Sequence, residues 1–415
     1  MALQTSGQIS LNDLHVEAGG GSGAMAAMND SDIRGLTAAS GRTINTTSGG
    51  MTSMSDFYGA SSISFMAFSP SGSYTTFTSG NYRYYRWSGV NNTGPTLTAI
   101  GTEDSGRVYF KVWGGGGGGG GGGTYAGANG GVGSFTKGYW VPTSTGRLLV
   151  QTGTGGVGGG SKNGSQTSPP GGAGGYMNAA NDTLRGGSGG AGYGTGSLAI
   201  GGGGGGGSGA RLRTYWTNQG EAAPTFFVRV GGGGGGGGSD QSANGSTTKG
   251  GNGGAAQAPN QTGTAALDNG SSLGGLGGTG AAGGAARAGY NNQTNAEGKA
   301  GTPWHGGDGG YGISNAFGGS GGGGGGVFGG SGGSVGGGSQ GVGGGGGGGS
   351  LGGSLTITQT IRQTHSSSTA PATSEAGWSG SGNVAGSGAG MSANNLGYNA
   401  GTGGNSCIVI YFKYQ

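Results

Sequence analysis

The chain has 415 residues, of which 124 are glycine, while only 30% are hydrophobic and 8% are charged. This composition excludes an apolar core in proportion to the length, and it differs from ordinary disordered chains, which combine low hydrophobicity with high net charge. The formal net charge of +4 comes from scattered Lys and Arg residues, which argues against a nucleic-acid partner.

Residues 1–62 predict a separate N-terminal module with short helical turns. In three segments Ser, Asn or Asp precedes an apolar residue and glycine follows, which is the pattern of capped helix starts and their stops. The segments are Ser10–Val16, Asn29–Gly35 and Ser53–Gly59. Such short helices do not persist alone, so we expect the module to pack on a larger partner. The alternative is a satellite subdomain of the same chain.

Residues 63–113 have a period of two, which predicts an antiparallel β unit. Apolar and aromatic residues alternate with polar ones in short stretches that are separated by Pro, Gly, Ser and Asn turns. The predicted strands are Ile63–Phe68, Tyr74–Thr78, Tyr82–Trp87, Thr96–Ile100 and Arg107–Trp113.

Residues 114–415 contain five uninterrupted glycine runs, at 114–123, 201–207, 231–238, 321–326 and 343–349. Such runs are either flexible linkers or backbone packed too closely for a Cβ atom. Strand-like segments ending at Trp113, Ile200 and Val230 lead directly into three of the runs, and a linker has no reason to begin repeatedly at a strand end. We therefore predict packed polyglycine helices of the extended, threefold polyproline II type, whose backbone groups hydrogen-bond one another.

The fold class predicted for the chain is thus all-β with packed polyglycine helices. Further strands are expected at Phe135–Val141, Arg147–Thr152, Arg211–Trp216, Thr225–Val230, Leu355–Arg362 and Cys407–Tyr414. The last strand is the most apolar stretch of the chain. We expect it to pair in the interior with the 107–113 region, so that its loss costs more than the loss of an ordinary terminus.

Several of these motifs resemble the glycine-rich tail fibre and adhesin proteins of tailed bacteriophages. A strand ending at Trp113 before a glycine run, the turn 142–146, a Leu-Leu-Val strand and the closing strand from Cys407 are similar to the glycine-rich domain of that class. Residues 9–14, 29–35 and 54–59 resemble a short module at the start of many phage virion proteins. The resemblance implies a rigid tip of polyglycine helices whose intervening loops contact a host receptor.

The function expected from this resemblance is that of a non-enzymatic virion protein of the phage tail, a fibre or adhesin. It would attach to other virion proteins by its N-terminus and bind a host surface polysaccharide or outer-membrane protein. The alternative is a purely structural tail or capsid component. A homo-oligomer, with a trimer favoured, is expected from the usual symmetry of fibres and from the strand residues Tyr82, Tyr84 and Trp87.

The N-terminus has neither the basic nor the apolar region of a secretory signal, and no stretch is long and apolar enough to span a bilayer. We therefore expect a virion protein that is made in the host cytoplasm.

No catalytic site, cofactor or metal is expected. Matches to Gly-x-Gly-x-x-Gly follow from the abundance of glycine, and none opens a helix in a βαβ unit. His15, His305 and His365 are far apart and share no metal-ligand spacing. The single cysteine, Cys407, lies in an apolar strand and is expected to be a buried hydrophobe.

Aromatic residues within polar, Gly/Ser/Asn-rich loops are the candidate receptor contacts. Aromatic rings among small polar residues are typical of rigid recognition loops. The candidates are Tyr290, Trp304, His305, Trp378 and Tyr398. The alternative is that these rings cover the ends of the glycine helices as small local cores.

The apolar residues of the three N-terminal turns are the candidate virion-attachment residues. They are Leu11, Leu14, Ile33, Phe57 and Tyr58.

Overall fold

The computed structural model of the protein describes most of the chain. The described residues are 3–36, 38, 39, 41–60, 68–80, 82–97, 107–123, 125–140, 146–161, 168–176, 184–193, 201–215, 227–239, 274–279, 282–288, 295–312, 318–335, 343–353, 356–361, 372–376 and 398–413.

The N-terminal module contains the predicted short helices. They are α1 (Leu11–Glu17), α2 (Ser31–Arg34) and a 3-10 turn (Met54–Phe57). At the start of α1, the Ser10 hydroxyl accepts a hydrogen bond from the Asp13 N–H at 3.2 Å, and the Asp13 carboxylate accepts one from the Ser10 N–H at 2.7 Å. The same reciprocal capping occurs at the 3-10 turn. The predicted caps at Ser10 and Ser53 are confirmed, whereas the side chain of Asp30, which precedes α2, makes no cap hydrogen bond to that helix.

These turns bury their apolar side chains against one another. The resulting cluster consists of Leu3, Leu14, Ile33, Leu36, Ile44, Phe57 and Ala60. The buried Arg34 guanidinium fixes the loop beside this cluster by donating to the carbonyl oxygens of Asn45 at 2.6 Å, Thr47 at 3.0 Å and Gly50 at 2.8 Å. The module therefore has its own interior, which the expectation that its short helices pack on a larger partner did not anticipate.

The remainder of the described fold is mostly β, which confirms the all-β part of the prediction. The strands are β1 (Phe68–Ser69), β2 (Thr75–Ser79), β3 (Tyr82–Ser88), β4 (Asn91–Thr93), β5 (Thr96–Leu97), β6 (Val108–Trp113), β7 (Phe135–Trp140), β8 (Gly146–Thr152), β9 (Ala210–Tyr215), β10 (Phe227–Val230), β11 (Leu351–Gly353), β12 (Thr356–Ile361) and β13 (Cys407–Lys413). Their alternating or apolar sequences favour the extended backbone because one or both faces are buried.

These strands form two sheets whose described pairs are antiparallel. One sheet has six strands in the order β12-β7-β6-β13-β3-β2. The other has seven, in the order β1-β5-β8-β9-β10-β11, and β4 also pairs with β8. In the six-stranded sheet Ile410 of β13 faces Phe110 of β6 and Tyr85 of β3. The prediction that the last strand pairs with the 107–113 region is confirmed.

The two sheets pack face to face around one apolar core. Both sheets contribute to it, with Trp87, Phe110 and Ile410 from one and Val150 and Leu212 from the other. Successive side chains of a strand point to opposite faces, so Trp87 enters this core while Tyr82 and Tyr84 lie on the outer face of the six-stranded sheet. Trp87 is therefore not available to the oligomer contact for which it was named together with Tyr82 and Tyr84.

The glycine segments continue from the strand ends and are joined by backbone hydrogen bonds. Along segment 114–121 the acceptor changes with each N–H group and returns to the same neighbour every third residue. The three neighbours are segments 128–134, 202–208 and 401–404, with N···O distances of 2.8–2.9 Å. Every residue of the 114–123 run is buried. Since these backbone groups have partners, their hydrogen bonds compensate the loss of hydration when they are buried.

Buried serines mark the junctions where glycine segments enter strands. Ser134, Ser208, Ser350 and Ser406 are each at most 1% exposed. Their hydroxyl groups bond the backbone of adjacent segments: the Ser350 Oγ accepts from Gly231 N–H at 2.7 Å, and Ser406 Oγ accepts from Gly153 N–H at 2.6 Å. Serine is accommodated here because its small hydroxyl finds a polar partner in the backbone.

Candidate functional site

Trp304 and His305 lie at the sandwich end of the glycine segments. Both belong to a tight turn closed by a bridge between Thr302 and His305, in which Trp304 has φ 72. The half-buried Trp304 ring covers the guanidinium of Arg229 on β10, with 4.3 Å between the guanidinium carbon and the ring centroid. Burial, together with the charge of Arg213, lowers the pKa of Arg229 to about 10. Trp304 thus packs on the β sandwich, whereas the His305 side chain is exposed.

Tyr398 lies at the opposite, distal end. Segment 153–161 leaves β8 and ends at Ser161, where the Ser161 N–H donates to the Tyr398 carbonyl at 3.0 Å. Tyr398 is 65% exposed. Tyr290 and Trp378 lie outside the described residues. Of the five candidate receptor residues, the structure therefore brings together Trp304 and His305 and separates them from Tyr398.

The distal end carries two further exposed tyrosines. Tyr193 is 40% exposed and Tyr311 is 52% exposed. They are placed together because the N–H of Gly312 donates to the carbonyl of Ala191 at 2.9 Å. Sequence reasoning did not select Tyr311. The sequence feature that could have identified Tyr311 is its position after Gly309 and Gly310, as the third residue of a Gly-Gly-x triplet.

Gly-Gly-x triplets place side chains on the outside of the glycine region. In segments 168–176, 184–193 and 305–312 the non-glycine residues at every third position are exposed or half-buried, whereas most of the intervening glycines are buried. These outward residues are Pro170, Ala173, Tyr176, Arg185, Ser188, Ala191, His305, Asp308 and Tyr311.

Most of the attachment candidates are not on the surface of the N-terminal module. Leu14, Ile33 and Phe57 are 0% exposed and form its core, so they have no surface with which to contact a partner. Leu11 and Tyr58 are half-buried. Among the described residues of the module, the exposed large apolar side chains are Val16 at 42%, Met25 at 99% and Met51 at 95%.

A charged turn, residues 372–376, packs on the outer face of the six-stranded sheet. Glu375 lies between two lysines, 3.1 Å from Lys111 Nζ and 2.5 Å from Lys137 Nζ. The Lys111 ammonium is almost fully buried, donates to the Ala376 carbonyl at 2.9 Å and lies 4.9 Å from the Tyr411 ring centroid. This ion-pair network fastens the turn to the aromatic face of the sheet.

The lysines control the titration of this carboxyl. Burial by itself raises the pKa of Glu375, but hydrogen bonds from Lys137 and Lys111 and their charges outweigh it and hold the pKa below its ordinary value of 4.5. Burial lowers the pKa of Lys111, which the hydrogen bond and charge of Glu375 oppose. Because the folded-state pKa of Glu375 is depressed, its stabilisation is present above the unfolded-state pKa and is lost as the pH falls through the folded-state value.

Replacing Glu375 by glutamine is expected to lower the free energy of unfolding by about 2 kcal/mol at pH 7, since hydrogen bonds to charged groups contribute about 1.5–3 kcal/mol. Urea unfolding of both proteins between pH 7 and pH 3 measures this, and the difference should shrink below the ordinary pKa of 4.5. Glu297→Gln is the control, since the Glu297 side chain is more exposed than that of Glu375 and its Oε2 lies 3.9 Å from Lys299 Nζ. Such an exposed ion pair contributes little to stability. A difference independent of pH would contradict the role of the Glu375 charge.

No three His, Cys, Asp or Glu side chains among the described residues are grouped so as to hold a metal ion. Burial raises the pKa of the Cys407 thiol to about 12, which keeps it protonated and unreactive. None of the helices in the described part of the chain has the length and apolar character required to cross a membrane.

Comparison with protein-family models and with characterised proteins finds no match to this chain.

Proposed function

We propose that the glycine segments are threefold extended helices of the polyproline II type, packed side by side. The return of each hydrogen-bond partner every third residue supports this, since that helix has three residues per turn. The absence of side-chain space also supports it. A Cβ atom added at Gly117, Gly204 or Gly235 would lie less than 3.0 Å from a backbone carbonyl of a neighbouring segment.

We further propose that the protein is a non-enzymatic adhesin or fibre of a phage tail that binds a host cell surface. The observation that carries this proposal is the set of exposed tyrosines at the distal end, Tyr193, Tyr311 and Tyr398. Their backbone is hydrogen-bonded to adjacent segments at Tyr311 and Tyr398. Aromatic rings on a rigid backbone provide contact area with little loss of conformational entropy.

The N-terminal module is the proposed attachment to other virion proteins. Its exposed Met25, Met51 and Val16 support this, because methionine is common in contact surfaces and a module with its own core has no internal use for them. The resemblance to phage virion proteins, noted for residues 9–14, 29–35 and 54–59, supports a location in the virion. A homo-oligomer, with a trimer favoured, remains part of this proposal.

Binding of the fluorescently labelled, full-length protein to a panel of bacterial strains tests the adhesin proposal. We expect Tyr311→Ala/Tyr398→Ala to weaken binding at least tenfold without changing the unfolding midpoint. The control is Tyr74→Ala, because Tyr74, at 40%, is also exposed. It belongs to the β sandwich, where its ring centroid lies 6.1 Å from that of Trp87. Equal binding by all three proteins would exclude the distal tyrosines from the binding site, and no binding by any would favour the alternative of a purely structural tail or capsid component.

A further inference from the structure

Four glycine-rich segments form an outer layer, in the order 168–176, 184–192, 305–312 and 295–302. Backbone hydrogen bonds join each segment to the next. The Gly186 N–H donates to the Gly175 carbonyl, and the Gly306 N–H donates to the Arg185 carbonyl. The Lys299 N–H donates to the Asp308 carbonyl, and all three N···O distances are 2.8–2.9 Å. The layer is thus a continuous face of extended backbone, one side of which points outward.

The register of these bonds arranges the outward side chains in bands across the layer. The band nearest the sandwich contains Tyr176, Arg185, His305 and Thr302. The next band contains Ala173, Ser188, Asp308 and Lys299, and the distal band contains Pro170, Ala191 and Tyr311. At a rise of about 3.1 Å per residue, three residues separate adjacent bands by about 9 Å.

The middle band is a shallow track. Ala173 and Ser188 are small, while Tyr176 in the band on one side is 54% exposed and Tyr311 in the band on the other is 52% exposed. The exposed Asp308 continues the track and is oriented by the Ser188 N–H, which donates to its Oδ1 at 2.7 Å. Lys299, with 56% of its side chain exposed, closes the track at the last segment.

We propose that this outer layer binds an extended polysaccharide chain lying in the middle band; this rests on the proposed host-binding function. Sugars present hydroxyl groups along their edges and weakly apolar ring faces. The band offers the Ser188 hydroxyl, the Asp308 carboxylate and the Lys299 ammonium to the hydroxyl groups, and Tyr176 and Tyr311 to the ring faces. The positive charges of Arg185 and Lys299 are balanced by Asp308 and by Glu297, which suits a neutral or weakly charged chain.

The spacing and stiffness of the layer favour a saccharide over a protein. The interval of about 9 Å between adjacent bands sets the width of the track, which admits one extended chain lying along the middle band. A protein partner would require an apolar, well-packed centre, and the middle band has only Ala173 as an apolar side chain. Hydrogen-bonded backbone on both sides keeps the segments from adapting to another shape.

The test uses the full-length protein and the polysaccharide released from the surface of a strain that it binds, measured by isothermal titration calorimetry. Wild-type protein should bind the polysaccharide, and Ser188→Trp, which fills the track from outside, should weaken binding at least tenfold. Thr402→Trp is the matched control, because Thr402 is also exposed on a glycine segment but lies outside the outer layer. It should bind like the wild type.

Two results would overturn the inference while leaving host binding intact. One is cell binding that survives periodate oxidation of surface sugars but not protease treatment, which identifies a protein receptor. The other is equal affinity of Ser188→Trp and wild type for the polysaccharide. Absence of binding to every strain would instead contradict the proposed function, and the inference would fall with it.

Discussion

Replacing Gly204 by alanine is expected to destabilise the protein by about 3–5 kcal/mol, because overpacking costs about 1–3 kcal/mol and lost buried hydrogen bonds add to it. The added Cβ would lie less than 3.0 Å from the carbonyl oxygen of Gly118, which belongs to backbone and cannot rotate away. Segments 114–121 and 202–208 would have to separate. Two hydrogen bonds would lengthen or break, the one from the Gly204 N–H to the Gly236 carbonyl and the one from the Gly118 N–H to the Gly205 carbonyl. Both have N···O distances of 2.8 Å.

An opposing effect is too small to reverse this result. Alanine restricts the unfolded chain more than glycine does and thereby stabilises a compatible site by about 0.4–1 kcal/mol. The measurement is the urea unfolding midpoint followed by circular dichroism. Ala173→Ser is the control, since it enlarges an outward position of the same type of segment and should change stability by less than about 0.5 kcal/mol. Equal midpoints for the two variants would contradict close packing of the glycine segments.

Deleting residues 407–415 is expected to prevent folding altogether. Strand β13 lies between β3 and β6 in the six-stranded sheet, so its loss leaves two unpaired strand edges. It also removes Ile408, Val409, Ile410 and Phe412, which are at most 6% exposed. Each such side chain contributes about 1.5–3 kcal/mol on burial, and together they approach the 5–15 kcal/mol by which a typical protein is stable.

Soluble expression and the near-ultraviolet circular dichroism of the buried tryptophans measure this effect. Trp87 and Trp113 are 0% exposed and report on the sandwich directly. Deleting only residues 414 and 415 is the control and should preserve both the yield and the signal. A soluble 407–415 deletion with native tryptophan signals would show that β13 is dispensable.

Local patterns were sufficient to predict most of the β sandwich. Alternation in Tyr82–Trp87 and Arg147–Thr152 identified β3 and β8 to within one residue at each end, because a strand with one buried face needs a period of two. The capped turns at Ser10 and Ser53 were also predictable, since the cap and its carboxylate are three residues apart in sequence. These features depend only on near neighbours in the chain.

The candidate site was predicted less well. Sequence composition selected Trp304 and Tyr398 together, but they lie at opposite ends of the glycine segments, and Trp304 packs on Arg229 of β10. The attachment candidates Leu14, Ile33 and Phe57 proved to be a core, because the three turns bury one another. Exposure of an apolar residue depends on which distant segment covers it, and that information is not local.

The amino-acid sequence by itself determined where strands form, where short helices begin, and that glycine segments follow strand ends, since these depend on backbone preferences and side-chain periodicity. Only the tertiary structure decided which segments are neighbours. It thereby decided in which Gly-Gly-x triplets the third residue faces outward. The glycines provide no side chains to specify a partner. The segments that directly adjoin β6, β8, β9, β10 and β13 are positioned by the places of these strands in the two sheets. Tyr311 is exposed and Ser188 is half-buried, whereas Gly187, Gly189, Gly309 and Gly310 are buried.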